Sequence, residues 1–179
     1  MKFQVANEEV FASTGGRPFD KNKPLIIFIH GSGLTHMCWV LQTRYFAFHG
    51  YSVLALDLPG HGLSGGKSLS SIEEMADWVN AVIDAVGHKE ASLVGHSQGC
   101  LQILEYAFKY KDRINKAVFV GGSNKMPVHP DLINLANNQS IPIKVVGEFT
   151  NDIVQIGEHV TSIKELNSLY KNSFEANFN

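Results

Sequence analysis

Gly95-His96-Ser97-Gln98-Gly99 has the residue types to carry a reactive hydroxyl on a sharp turn. The segment fits G-x-S-x-G and lies between a short apolar stretch, Ala91 to Val94, and a stretch of helical pattern, Cys100 to Tyr110. A serine where a strand bends into a helix has strained backbone angles, and small neighbours let the two elements approach while the hydroxyl points outward. Ser97 is therefore the expected nucleophile. His30-Gly31-Ser32-Gly33 follows an earlier apolar run, and a turn there can aim backbone N–H groups at a developing negative oxygen. Ser32 N–H and Gln98 N–H are the expected pair of donors. Taken alone, either segment is also explained as a plain glycine turn; together they support one another. Asp57-Leu58-Pro59-Gly60-His61-Gly62-Leu63-Ser64 reads as a loop whose Pro and Gly set turns, with no chemistry of its own.

These segments need elements to hold them. Leu25 to Ile29 is a continuous β-prone run opened by Pro24, of the kind buried on both faces of a parallel sheet. Helical pattern follows from about Met37 to Phe48, stopped by Gly50, and Ser52 to Leu56 is a second strand. Ser70-Ser71-Ile72-Glu73 reads as a capping box. Beyond it Ile72, Met75, Ala76, Val79, Val82, Ile83 and Val86 recur at spacings of three and four up to Gly87. Ala91 to Val94 is a third strand and Ala117 to Val120 a fourth. Strands alternating with helices through right-handed crossovers predict an α/β fold, a mostly parallel sheet with helices on both faces. Ligands then gather at the carboxyl ends of the strands, where all three motifs fall.

The 179 residues suit a single core. Hydrophobic residues make up 44% and charged residues 18%, which excludes disorder. A formal charge of −2 offers no footprint for nucleic acid or anionic membrane. No apolar run reaches the length of a membrane span. Cys38 and Cys100 form neither a disulfide framework nor a metal cluster, so no metal is expected. The first eleven residues, with Glu8 and Glu9, resemble no targeting peptide, and a cytoplasmic location is expected. Gly65-Gly66-Lys67-Ser68 lacks the leading glycine of a P-loop, because position 61 is His61; Gly31-Ser32-Gly33 has His36 where a dinucleotide fingerprint needs glycine. Neither motif supports ATP or NAD, and no cofactor is expected.

In their order and spacing, His30-Gly31-Ser32-Gly33, Asp57 to Ser64 and Gly95 to Gly99 resemble the α/β-hydrolase superfamily over about Phe3 to Gly121. The resemblance implies a nucleophile at Ser97 and an oxyanion hole from Ser32 and Gln98. It points to the serine branches (esterases, lipases, thioesterases, peptidases, C–C hydrolases, cofactor-free haloperoxidases) rather than to branches with Asp at the elbow. The implied substrate is a small molecule, an apolar acyl compound.

In this fold the acid and base follow the nucleophile in the order Asp or Glu, then His. Only His129 and His159 follow Ser97, and 59 residues follow Val120 where two further strand and helix units need roughly 30 residues each. His129 lies too close after the last strand and reads as structural. Ile141 to Gly147 resembles an acid-bearing strand, making Asp152 and His159 weak candidates, although seven residues between them leave no room for a helix and strand. The expected organisation is a core over residues 1–121 and, over 122–179, the start of a lid or an incomplete remainder of the core. Three expectations follow: weak or absent activity on activated esters, a sheet edge prone to self-association, and, as the competing class, a non-catalytic binding protein that keeps the turn for packing.

Overall fold

A computed structural model describes residues 1–122. The strands are β1 (Lys2–Val5), β2 (Glu8–Ser13), β3 (Leu25–Ile29), β4 (Ser52–Leu56), β5 (Ala91–His96) and β6 (Ile114–Val120). The helices are α1 (Val40–Phe48), α2 (Ile72–Ala85) and α3 (Gln98–Lys109), with 3₁₀ turns at His36–Trp39 and Lys111–Arg113. The sheet order is β1-β2-β4-β3-β5-β6; β4, β3, β5 and β6 run parallel, and β1 and β2 are antiparallel. The expected α/β class holds, with an N-terminal hairpin that the apolar patterning did not announce. That hairpin turns on Ala6 and Asn7, both at positive φ, the two-residue turn whose twist matches antiparallel strands.

Alternate residues of β3, β4 and β5 face opposite sides of the sheet. Ile27, Ile29, Leu54, Leu56 and Leu93 pack under α2 and α3, and Ile26, Phe28, Val53, Ala55 and Val94 under Trp39, Phe46 and Ala47. Burial on both faces explains why β3 and β4 read as unbroken apolar runs rather than alternating ones. No helix among the described residues is long and apolar enough to cross a membrane.

Several element ends differ from the sequence reading. The cap of α2 is Ser71, whose side chain accepts from Glu74 N–H, and the Glu74 carboxylate reaches back to Ser70 N–H. The box is thus displaced by one residue. The segment from His36 begins as a 3₁₀ turn capped by Thr35 and becomes α-helical only at Val40. Strands β5 and β6 extend beyond their apolar stretches, because parallel pairing from Ala91↔Ile114 to His96↔Val120 carries polar residues with it. His129, Asp152 and His159, and the proposed division at residue 121, concern a region that lies almost wholly outside the described residues.

Candidate active site

Ser97 joins β5 to α3 with φ 52° and ψ −118°. Among the described residues only Ala6, Asn7 and Ser97 are non-glycine residues at positive φ, and Ser97 alone of these lies outside a hairpin turn. The surroundings require bare backbone on both sides. A Cβ on Gly95 would lie 2.5 Å from the Gly99 carbonyl oxygen, and one on Gly99 would lie 2.6 Å from that of Ile29. Glycine at both positions lets α3 start against β3 and β5. Ser97 N–H donates to Val120 O at 3.0 Å and Cys100 N–H donates to Ser97 O at 2.8 Å, so the turn is anchored to β6 and to the helix it opens.

The turn after β3 lies against this serine. A Cβ built on Gly31 would stand 2.9 Å from Ser97 Cβ and 3.1 Å from His96 Nδ1, so glycine is what lets the two turns meet. Gln98 N–H is the first amide of α3 and has no intrahelical partner by construction. Neither it nor Ser32 N–H donates to another described residue. Ser97 is half-buried and Ser32 exposed, so an incoming molecule can reach the serine. The structure therefore brings Gly31, Ser97 and Gln98 together at the carboxyl ends of β3 and β5.

Besides His96, three histidines lie at this end of the sheet, each with a ring nitrogen already engaged. His30 is wholly buried; its Nδ1–H donates to Gly31 O at 2.8 Å and its Nε2 accepts from Leu58 N–H at 3.2 Å. Burial pushes its pKa below the usual histidine value, in keeping with this neutral tautomer. His36 donates Nδ1–H to the carboxylate of Asp57 at 2.9 Å, and His61 donates Nδ1–H to Pro59 O at 3.0 Å. Asp57 is wholly buried and also accepts from His36 N–H and Leu63 N–H, a pairing that the sequence reading missed. The available signal was an Asp at the carboxyl end of a strand buried on both faces, where an ionised side chain needs partners.

Behind the serine, Cys100 is buried and its thiol pKa is pushed up to about 11 by desolvation, so it is no rival nucleophile. Trp39 Nε1 and His96 Nδ1 are buried without a partner among the described residues, and their rings meet edge to face at 6.3 Å. A crevice of about 370 Å³ lined by Arg17, Asp20, Lys23 and Phe48 lies at the opposite, amino-terminal end of β3 and β4, far from this chemistry. Ligands of such sheets gather at the carboxyl ends, so the serine rather than the crevice marks the candidate site. Among the described residues no group of three or more His, Cys, Asp or Glu is placed to hold a metal ion.

The sequence profile of the alpha/beta hydrolase fold matches residues 24–152. The chain belongs to this family. It is 29% identical to mouse Protein ABHD8 over 116 residues, 63% of this chain and 26% of that protein. With the bifunctional esterase/perhydrolase DCH of Acinetobacter calcoaceticus it shares 30% identity over 135 residues, 74% of this chain and 48% of the enzyme. A crystal structure of a membrane phospholipase A, described as a bacterial virulence factor, superposes with a TM-score of 0.64 at 25% identity, over 78% of this chain and 44% of that one. The chain thus spans about a quarter to a half of the length of these relatives.

Proposed function

We propose that the chain is the nucleophile-bearing part of a serine hydrolase that cleaves an ester or related acyl bond of a small apolar molecule. The observation that carries this is the strained Ser97 at the head of α3, with the Gly31 turn packed against it and two amides, Ser32 and Gln98, without partners among the described residues. Strain of this kind costs on the order of 1–3 kcal/mol and persists where surrounding structure imposes it, as at functional sites.

In the proposed reaction Ser97 Oγ attacks the acyl carbon, and the carbonyl π electrons move to oxygen, where the Ser32 and Gln98 N–H groups stabilise the charge. The serine proton passes to a base. Collapse breaks the bond to the alkoxide, which takes that proton and leaves as the alcohol, and water then cleaves the acyl-serine to release the carboxylic acid and restore Ser97. Among the described residues no imidazole hydrogen-bonds Ser97 Oγ, so the base is sought beyond residue 122, with His159 and Asp152 the candidates, then His129. The likeness to the esterase/perhydrolase of Acinetobacter calcoaceticus supports a second outcome at the same site, in which hydrogen peroxide replaces water and the acyl group leaves as a peracid. Two free thiols suit the reducing, cytoplasmic setting included in this reading.

A fluorophosphonate probe tests the nucleophile directly: Ser97 Oγ bonds to phosphorus as fluoride leaves. One adduct on Ser97, lost in Ser97→Ala, is the expected result; no adduct at millimolar probe over hours would favour the binding-only class.

A further inference from the structure

The Gly31 carbonyl is held from two sides. His30 Nδ1–H donates to it at 2.8 Å, and Leu34 N–H donates at 3.2 Å. The His30 tautomer is fixed from the other edge of the ring, because Nε2 accepts Leu58 N–H and so carries no proton. In a trans peptide C=O and N–H point in opposite directions. Bonds that draw the Gly31 oxygen towards His30 and Leu34 therefore turn the next amide, Ser32 N–H, the other way, where no described residue accepts it.

The far end of the same loop is tied as well. The Asp57 carboxylate accepts His36 N–H at 2.7 Å, His36 Nδ1–H at 2.9 Å and Leu63 N–H at 2.9 Å. Gly62, at φ 52°, passes so close to this carboxylate that any Cβ would overlap it. Residues 30 to 36 contain two glycines and no regular structure before the 3₁₀ turn, so without ties they have many conformations to lose. Both ties leave from adjacent residues at the end of β4, Asp57 and Leu58.

We propose that two side-chain ties aim the Ser32 amide: His30 Nδ1–H on the Gly31 carbonyl at one end of its loop, and the Asp57 carboxylate on His36 at the other. His30 and Asp57 are positioning residues and touch no reacting atom. The catalytic consequence rests on the Ser97 reading; the orientation of the amide does not. An oxyanion donor contributes roughly 10²- to 10³-fold when correctly aimed, and a donor free to rotate forfeits part of that factor.

The test compares His30→Leu, His30→Asn and Asp57→Asn in the full chain, with backbone amide NMR and the rate of Ser97 labelling by a fluorophosphonate. The Asn amide nitrogen can stand where Nδ1 stands and keep the bond to Gly31 O, but it offers Leu58 N–H no acceptor. His30→Leu is expected to shift the Ser32 and Leu34 resonances, to speed Leu34 exchange roughly tenfold, and to slow labelling about 10- to 100-fold. His30→Asn is expected to move Leu58 while restoring Ser32 and Leu34, with labelling recovered to within about threefold of the wild type. Asp57→Asn should speed exchange at His36 and Leu63 and slow labelling. If His30→Leu does not fold, the two Asn variants decide: displaced Ser32 resonances in His30→Asn overturn the proposal, and native ones beside a slowed Asp57→Asn support it. Unchanged Ser32 and Leu34 resonances in a folded His30→Leu, with β3 intact, would also overturn it. An unlabelled wild type sinks the nucleophile reading alone, because the NMR arms still report whether His30 aims the amide.

Discussion

Replacing Ser97 by Ala and by Gly separates backbone strain from chemistry. Both variants lack the hydroxyl and should take no fluorophosphonate. They differ in Cβ, which Ala keeps at φ 52° and ψ −118°, where an L-residue costs on the order of 1–3 kcal/mol. Gly escapes that cost and carries instead the greater loss of unfolded-chain freedom, roughly 0.5–1 kcal/mol. The balance favours Ser97→Gly over Ser97→Ala by about 1 kcal/mol, whereas at an ordinary extended or helical position the order reverses by a similar amount. Half-buried Ser97 leaves little area to lose with the methyl, so burial does not change the sign. In urea, with a slope of roughly 1–3 kcal/mol per M, the Gly variant should unfold about 0.3–1 M later, or melt about 2–4 °C higher. An Ala variant as stable as the Gly variant, at equal slopes, would refute the claim that strain is stored at this serine.

Gly99→Ala places a methyl 2.6 Å from the Ile29 carbonyl oxygen and 3.2 Å from that of His30; both are backbone, so α3 must retreat. A net loss of about 1–2 kcal/mol is expected after the helix-propensity gain of Ala, read as a lower urea midpoint at unchanged slope. Acid should destabilise the fold through His30, whose pKa burial lowers. The unfolded imidazole takes its proton near pH 6.5 while the folded one resists, so this stability is complete above about pH 6.5 and declines as pH falls below it, by at most about 1.4 kcal/mol per pH unit. His88, lowered by the same cause, adds in the same direction; a melting temperature flat from pH 7 to 5 in wild type would contradict this. At pH 8 iodoacetamide should modify exposed Cys38 in the native protein and spare buried Cys100 until urea unfolds the chain, so that mass spectrometry counts one adduct before unfolding and two after. Rapid double labelling of native protein would show that α3 opens easily.

The sequence by itself determined what depends on local pattern and backbone sterics. The runs Leu25–Ile29 and Ser52–Leu56 became β3 and β4 with those bounds, and the three- and four-residue spacing from Ile72 became α2. The elbow was legible for the same reason: glycines two residues to either side of a serine, between strand and helix patterns, leave the backbone few other routes. The helical pattern from about Met37 to Phe48 was legible as well, but not its surroundings: Met37, Leu41, Tyr45 and Phe48 are exposed, because helical spacing states that a face is apolar and not what covers it. Only tertiary structure decided the rest. The hairpin of β1 and β2 joins β4 through Ala12↔Leu56 and Ser13↔Ala55, a choice of partner that neither segment encodes alone. Asp57 meets His36 across 21 residues, Leu58 meets His30 across 28, and Gly31 lies against Ser97. A peptide group can be aimed only by groups on other strands, because its own neighbours rotate with it. Residue types near one another in sequence therefore marked the candidate site, and the packing of β3, β4 and β5 set the direction of its groups.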